Sequence, residues 1–169
     1  MIDFETQFGE GFAGNGVNAA HINTVLGAKG GPVETAWVTA LAQPAPGHVP
    51  FVAVLRPGLP LKPFTLFVNK ATIAGDKHAQ LTWGAAQAGV AKGVTDALVE
   101  GSIDPNLIDR LLLVVAVWVN PEATDADEVF SGNAQATLEA VRAGHAQRPT
   151  VDELLMERAS PFNAYFPRS

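Results

Sequence analysis

Four polar side chains in this sequence stand where they could do chemistry. His21 sits in the segment Ala20-His21-Ile22-Asn23, which reads as a strand. Alternation puts His21, Asn23 and Val25 on one face, with Ala20, Ile22 and Leu26 on the other. A polar pair on one face can line a cleft, and an imidazole there can exchange a proton near neutral pH. The plainer reading is a solvated or hydrogen-bonded structural histidine. Lys70 and Thr72 alternate along Thr65 to Ile73, which is expected to be a strand, so both should share a face, with Asn69 on the other. A lysine beside a hydroxyl can hold an anionic or carbonyl group, though a strand lysine is commonly a solvated edge charge. Gln87 follows Gly84-Ala85-Ala86 in a helical stretch, where small residues admit either a ligand or ordinary packing.

Other patterns lead nowhere. Gly9-Glu10-Gly11-Phe12-Ala13-Gly14 fits G-x-G-x-x-G, but no helix opens within it, so a dinucleotide site is not expected. Those glycines suit strand twist, a turn, or close backbone approach to a ligand. The histidines at 21, 48, 78 and 145 show no metal-ligand spacing, and no metal is expected. Gly27-Ala28-Lys29-Gly30-Gly31 lacks the order of a phosphate-binding loop, and no Ser or Thr stands in a nucleophile-elbow pattern.

The elements that would position these residues follow from periodicity and punctuation. Thr6–Ala13 and Ala19–Gly27 read as antiparallel strands joined by a tight Asn15-Gly16 turn. Residues 32 to 42 read as a helix opened by Pro32 and Glu34 and ended by Pro44 and Pro46. Val49–Leu55 and Thr65–Ile73 are the next strands, separated by a proline-rich connection. A long helix opens at Gly75-Asp76, carries Trp83, Ala86, Val90, Val94, Ala97 and Leu98 on one stripe, and closes at Gly101. Leu111–Val119 reads as a central strand buried on both faces. Asp125–Arg142 is the last long helix, and Asp152–Arg158 allows one or two further turns before a Pro161–Pro167 tail. Strands and helices mix without strict alternation, which predicts an α+β fold: a two-layer sheet with helices on one face.

The chain has 169 residues, 47% of them hydrophobic, enough for the core of one domain. Its formal charge of −6 argues against nucleic-acid or anionic-membrane partners. It has no cysteine, which excludes disulfides, thiolate metal sites and thiol nucleophiles. The start lacks the basic and apolar regions of a signal peptide, and the most apolar run is too short to span a bilayer, so a cytoplasmic location is expected.

Taken together, the segments resemble the formaldehyde-activating enzyme family. The resemblance is carried by Gly9-Glu10, Gly14-Asn15-Gly16 leading to Ala20-His21-Ile22, Gly31-Pro32-Val33-Glu34-Thr35-Ala36, Pro57-Gly58-Leu59-Pro60-Leu61-Lys62-Pro63, Asn69-Lys70-Ala71-Thr72-Ile73 and Gly84-Ala85-Ala86-Gln87. It runs from about Gly9 to Gly144, so residues 1–144 are expected to form one domain, with 145–169 as its C-terminal extension. The resemblance implies a fold like the second domain of ribosomal protein S5 and a homopentamer with sites between subunits. It implies the condensation of formaldehyde with tetrahydromethanopterin, or a related reduced pterin, to the methylene derivative with loss of water. It places the catalytic histidine on His21 and substrate contacts on Asn23, Lys70, Thr72, Gln87 and Val52, the last where the family has leucine.

The departures carry expectations of their own. The family has aspartate where this chain has Asn23, and Asn-Glu where it has Val17-Asn18. Its Gly-Pro-Ala-Gln is here Gly84-Ala85-Ala86-Gln87, and its His-Trp-Glu-Ala is Asn120-Pro121-Glu122-Ala123. With two carboxylates missing near the proposed acid, weaker acid catalysis or a changed ligand preference is expected. The alternatives are therefore a non-catalytic paralogue that binds or senses formaldehyde or a pterin, and a structural ring subunit with a vestigial pocket.

Overall fold

The structure is a computed structural model that describes residues 3–162. Within them, seven strands and five helices follow in the order β1 (Gln7–Ala13), β2 (Ala20–Ala28), α1 (Pro32–Ala42), β3 (Phe51–Val52), β4 (Val54–Arg56), β5 (Leu59–Pro60), β6 (Phe64–Asn69), α2 (Asp76–Gln80), α3 (Gln87–Glu100), β7 (Leu111–Trp118), α4 (Ala126–His145) and α5 (Val151–Glu157). A five-stranded sheet has the order β1-β2-β7-β6-β3, and β4 pairs with β5 in a separate ribbon. All sheet neighbours are antiparallel except β6 and β7. The protein is therefore α+β, with the apolar β7 at the centre as expected. Among the described residues no helix is long and apolar enough to cross a membrane.

The sheet has two unlike faces. One carries Ala20, Ile22, Leu26, Phe67, Leu113, Val115 and Val117, all buried, beneath Val90 and Val94 of α3 and Ala136 and Ala140 of α4. Helix α4 lies almost in contact with the β1 backbone. A Cβ on Gly9 would stand 1.8 Å from the Ala140 carbonyl oxygen, and one on Gly11 would stand 2.1 Å from that of Ala136. The glycines of the G-x-G pattern thus serve close approach to a helix, not to a ligand. Asp125 caps α4 by accepting from the Asp127 and Glu128 amides, both at 2.9 Å. Arg142 pairs with Glu100, joining α4 to the end of α3 and holding the Glu100 carboxyl below its ordinary range.

The second face is only partly covered. Helix α1 rests against β2 and β7 there, with Val33 pressed against Gly27, so the short helix lies opposite the two long ones. Residues Leu111 to Leu113 of β7 are buried on both faces, but Val114, Ala116 and Trp118 are only half-buried. The expectation of full two-sided burial therefore holds for the start of the strand alone, because α1 covers only that end.

Four local expectations are corrected. The β1–β2 connection is no two-residue turn: Gly14 and Gly16 take positive φ, Asn15 is extended, and a 3₁₀ turn spans Gly16–Asn18. Val49–Leu55 is divided into β3 and β4, which enter different sheets. The strand expected over Thr65–Ile73 ends at Asn69, so strand alternation does not set the direction of Thr72. The long helix is interrupted by a π segment, Leu81–Ala86, which shifts the helical phase and leaves Trp83 38% exposed instead of on the core stripe. Helix α5 begins with a capping box between Thr150 and Glu153 and is exposed. Most of the Pro161–Pro167 tail lies outside the described residues.

Candidate active site

The register of β1 and β2 builds the site. Phe12 stands opposite His21, and Glu10 opposite Asn23. On the other side of β2, Trp118 of β7 stands opposite His21. Cross-strand partners share a face, so Glu10, Phe12, His21, Asn23 and Trp118 gather on the partly covered face of the sheet. His21 Nε2 lies 3.0 Å from Glu10 Oε1, and the Phe12 ring is tilted beside the imidazole at 6.4 Å between centroids. The Glu10 side chain is 61% exposed and that of His21 38%, so the pair opens to the surface.

Lys70 reaches the same face. Its backbone N–H continues the β6–β7 ladder to Val117 O at 2.8 Å, and its ammonium donates to Asn23 Oδ1. The expected company of His21, Asn23 and Lys70 is therefore present. Glu10, part of the Gly9-Glu10 segment that carries the resemblance, sets a carboxylate beside His21 from the neighbouring strand, while positions 18 and 23 remain without one. The altered residue Asn18 acts elsewhere. Its Oδ1 accepts from the Thr124 and Asp125 amides at 2.8 and 3.2 Å, and its Nδ2 donates to Glu128 at 2.7 Å. These bonds tie the β1–β2 connection to the start of α4.

The contacts that place Thr72, Val52 and Gln87 do not involve His21. Thr72 lies in the loop after β6, with its hydroxyl 3.1 Å from His48 Nε2. Val52 pairs with Leu66 in the edge strand β3, on the Lys70 face of the sheet. Gln87 opens α3 on the helix-covered side and donates to Val54 O at 2.8 Å. A hollow of about 360 Å³, lined by Phe8, Val25, Val33, Ala36 and Val114 among others, lies on the His21 face but nearer α1. Its apolar lining offers little to direct a reaction, and the polar cluster lies farther along β2.

Glu10, Phe12, Trp118 and His48 are the residues that sequence reasoning missed. Alternation alone would have put Glu10 and Phe12 on the His21 face had the register across the β1–β2 connection been known. Buried His78 serves the structure. It accepts from the Ala74 amide and lies 3.0 Å from Val119 O, tying the start of α2 to the end of β7. Among the described residues, no three His, Asp or Glu side chains form a group that could hold a metal ion.

The profile of the formaldehyde-activating enzyme (Fae) family matches residues 8–166. A 5,6,7,8-tetrahydromethanopterin hydro-lyase of Methanosarcina barkeri is 40% identical over 156 residues, covering 92% of this chain and 88% of that protein. A bifunctional enzyme Fae/Hps of Methanosarcina mazei is 38% identical over 151 residues, covering 89% of this chain and 38% of the relative. One of Archaeoglobus fulgidus is 36% identical over 164 residues, covering 97% and 42%. The chain thus spans most of the hydro-lyase and less than half of these bifunctional enzymes. With a family match over nearly its whole length and a polar cluster built around His21, the chain belongs to the formaldehyde-activating enzyme family.

Proposed function

We propose that this protein condenses formaldehyde with tetrahydromethanopterin, or a related reduced pterin, to the methylene derivative with loss of water, as a carbon–oxygen hydro-lyase. The observation that carries the proposal is His21 braced by Glu10 on an open sheet face, beside the Asn23–Lys70 pair, in a chain of this family. A pterin nitrogen adds to formaldehyde and leaves a hydroxymethyl group, whose hydroxyl departs poorly until protonated. The imidazolium of His21 donates that proton, and water leaves as the iminium forms. The second pterin nitrogen closes the ring and releases a proton, which restores the acid. Glu10 holds Nε2 and so directs Nδ1 toward the adduct. Lys70, Thr72, Gln87 and Val52 provide the pterin contacts, with Asn23 orienting Lys70.

The positions of Gln87 and His21 on opposite sides of the sheet suit a site completed by a neighbouring copy, and a homopentamer is the assembly we propose. The first 144 residues form the catalytic domain and the remainder its extension, in a cytoplasmic enzyme of one-carbon metabolism that also removes free formaldehyde. The reading of a non-catalytic binder draws on the acids absent at Asn18 and Asn23, which Glu10, itself within the family-like Gly9-Glu10 segment, does not replace. The test is the rate of methylene-pterin formation from formaldehyde and tetrahydromethanopterin, measured against the spontaneous rate. Wild type should exceed it, and His21→Ala should lose most of the gain, since general acid help contributes roughly 10²–10⁴-fold. Equal rates with and without wild-type protein would remove the proposal.

A further inference from the structure

The loop after β6 is held to the turn before β3 by a closed set of hydrogen bonds. Asn69 Nδ2 donates to Gly47 O at 2.8 Å and to Ala71 O at 2.9 Å. The Ile73 amide donates to Gly47 O at 3.3 Å. Gly47 has φ +75, and a Cβ there would stand 2.4 Å from Thr72 Cγ2, so the turn has no room for a side chain at position 47. His48 completes the set. Its Nδ1 lies 2.9 Å from Asn69 O, and its Nε2 lies 3.1 Å from Thr72 Oγ1.

These contacts fix the proton positions. A backbone carbonyl only accepts, so His48 Nδ1 must carry a hydrogen. In the neutral ring Nε2 is then bare and must accept. The donor facing it among the described residues is the Thr72 hydroxyl, whose hydrogen is thereby spent within the protein. Thr72 is left with lone pairs only for anything outside.

We infer that His48 is a positioning residue that makes Thr72 an obligate hydrogen-bond acceptor, so that the ligand group seated on Thr72 is an N–H or amino donor and not a carbonyl. This rests on the proposed contact between Thr72 and the pterin. A ligand carbonyl at that place would require the Thr72 hydroxyl to turn outward and would leave Nε2 without a partner. The Thr72 methyl sits close to Gly47, where a Cβ would collide with it. His48 thus selects which edge of a fused-ring ligand faces the loop, without touching it.

The experiment combines ¹⁵N spectroscopy of histidine-labelled full-length protein with steady-state kinetics. At about pH 8 His48 should show the Nδ1–H tautomer and keep it when tetrahydromethanopterin saturates the site. Thr72→Val and His48→Phe should each raise the KM for tetrahydromethanopterin roughly three- to tenfold, the loss of one neutral hydrogen bond, with the effect on KM and not on kcat. The double variant should be no worse than Thr72→Val, because His48 acts only through Thr72. An Nε2–H tautomer, or its appearance on saturation, overturns the inference. So does an unchanged KM in His48→Phe when Thr72→Val raises it. If Thr72→Val itself leaves KM unchanged, the assignment of Thr72 to the site fails and takes the inference with it, and the tautomer measured without ligand separates that case from an error about His48.

Discussion

Glu10 meets His21 diagonally across two strands, and the exposure of both side chains sets how much that contact can be worth. A half-exposed pair contributes about 0–1 kcal/mol to stability, so Glu10 is not there to hold the fold. In the proposed reaction its effect is orientation, because it holds the Nε2 side of the ring. Glu10→Gln keeps the shape and removes the charge. Its melting temperature should stay close to wild type while kcat falls about fivefold, corresponding to ~1 kcal/mol of orientation and charge in the transition state. A kcat equal to wild type would show that Glu10 is a bystander. Alternation put His21 and Asn23 on one face because it needs no knowledge of the partner strand, whereas only the family resemblance brought Lys70 to them. Glu10 was not legible, because its place depends on register across a connection whose 3₁₀ turn leaves no local mark beyond two glycines.

Elements place these residues by packing closer than side chains normally permit. Helix α4 rides on Gly9 and Gly11, which brings it down on β1 and leaves the opposite face of the hairpin to carry Glu10, Phe12 and His21. Gly11→Ala would set a methyl against the Ala136 carbonyl, a backbone atom that cannot turn aside. Overpacking of this kind costs roughly 1–3 kcal/mol, and for a domain of this size each kcal/mol lowers Tm by about 2–4 °C. Gly11→Ala should therefore melt roughly 3–10 °C below wild type. Gly84→Ala, where nothing lies within 4 Å of the added carbon, should not. Equal melting of all three proteins would refute the packing account. Helix termini were legible because they are written in single residues: Pro32 opens α1, Asp125 caps α4, and Gly101 takes a left-handed φ of +88 after α3. The end of β6 was not. Lys70 to Ile73 read as strand by alternation, yet the Lys70 amide makes the last ladder bond, and the Asn69 side chain then binds the Gly47 and Ala71 carbonyls as the chain turns away. The π segment was hidden for a similar reason, since one extra residue in a turn changes phase without changing composition.

At the scale of the whole molecule, the sheet separates residues that the proposed reaction needs together. His21, Asn23 and Lys70 lie on the open face, while Gln87 is anchored to Val54 on the helix-covered side. The open face also carries Phe8, 67% exposed, and Phe12, 41% exposed, an apolar surface that a monomer would leave in water. A ring of identical subunits would cover that surface and bring the Gln87 edge of one copy to the His21 face of the next, because a heterologous contact joins two different patches. Subunit mixing tests this directly. His21→Ala and Gln87→Ala should each be weak alone, as every site in either ring lacks one part. Unfolded together and refolded at equal amounts, they should recover roughly one quarter of wild-type activity, since random neighbours pair an intact His21 with an intact Gln87 at about one site in four. The recovered activity should sediment with the assembled ring. If both residues serve one protomer, no mixed ring contains a complete site, and the mixture stays at the average of its two parents. That result would leave His21 and Glu10 in place and remove Gln87 from their site.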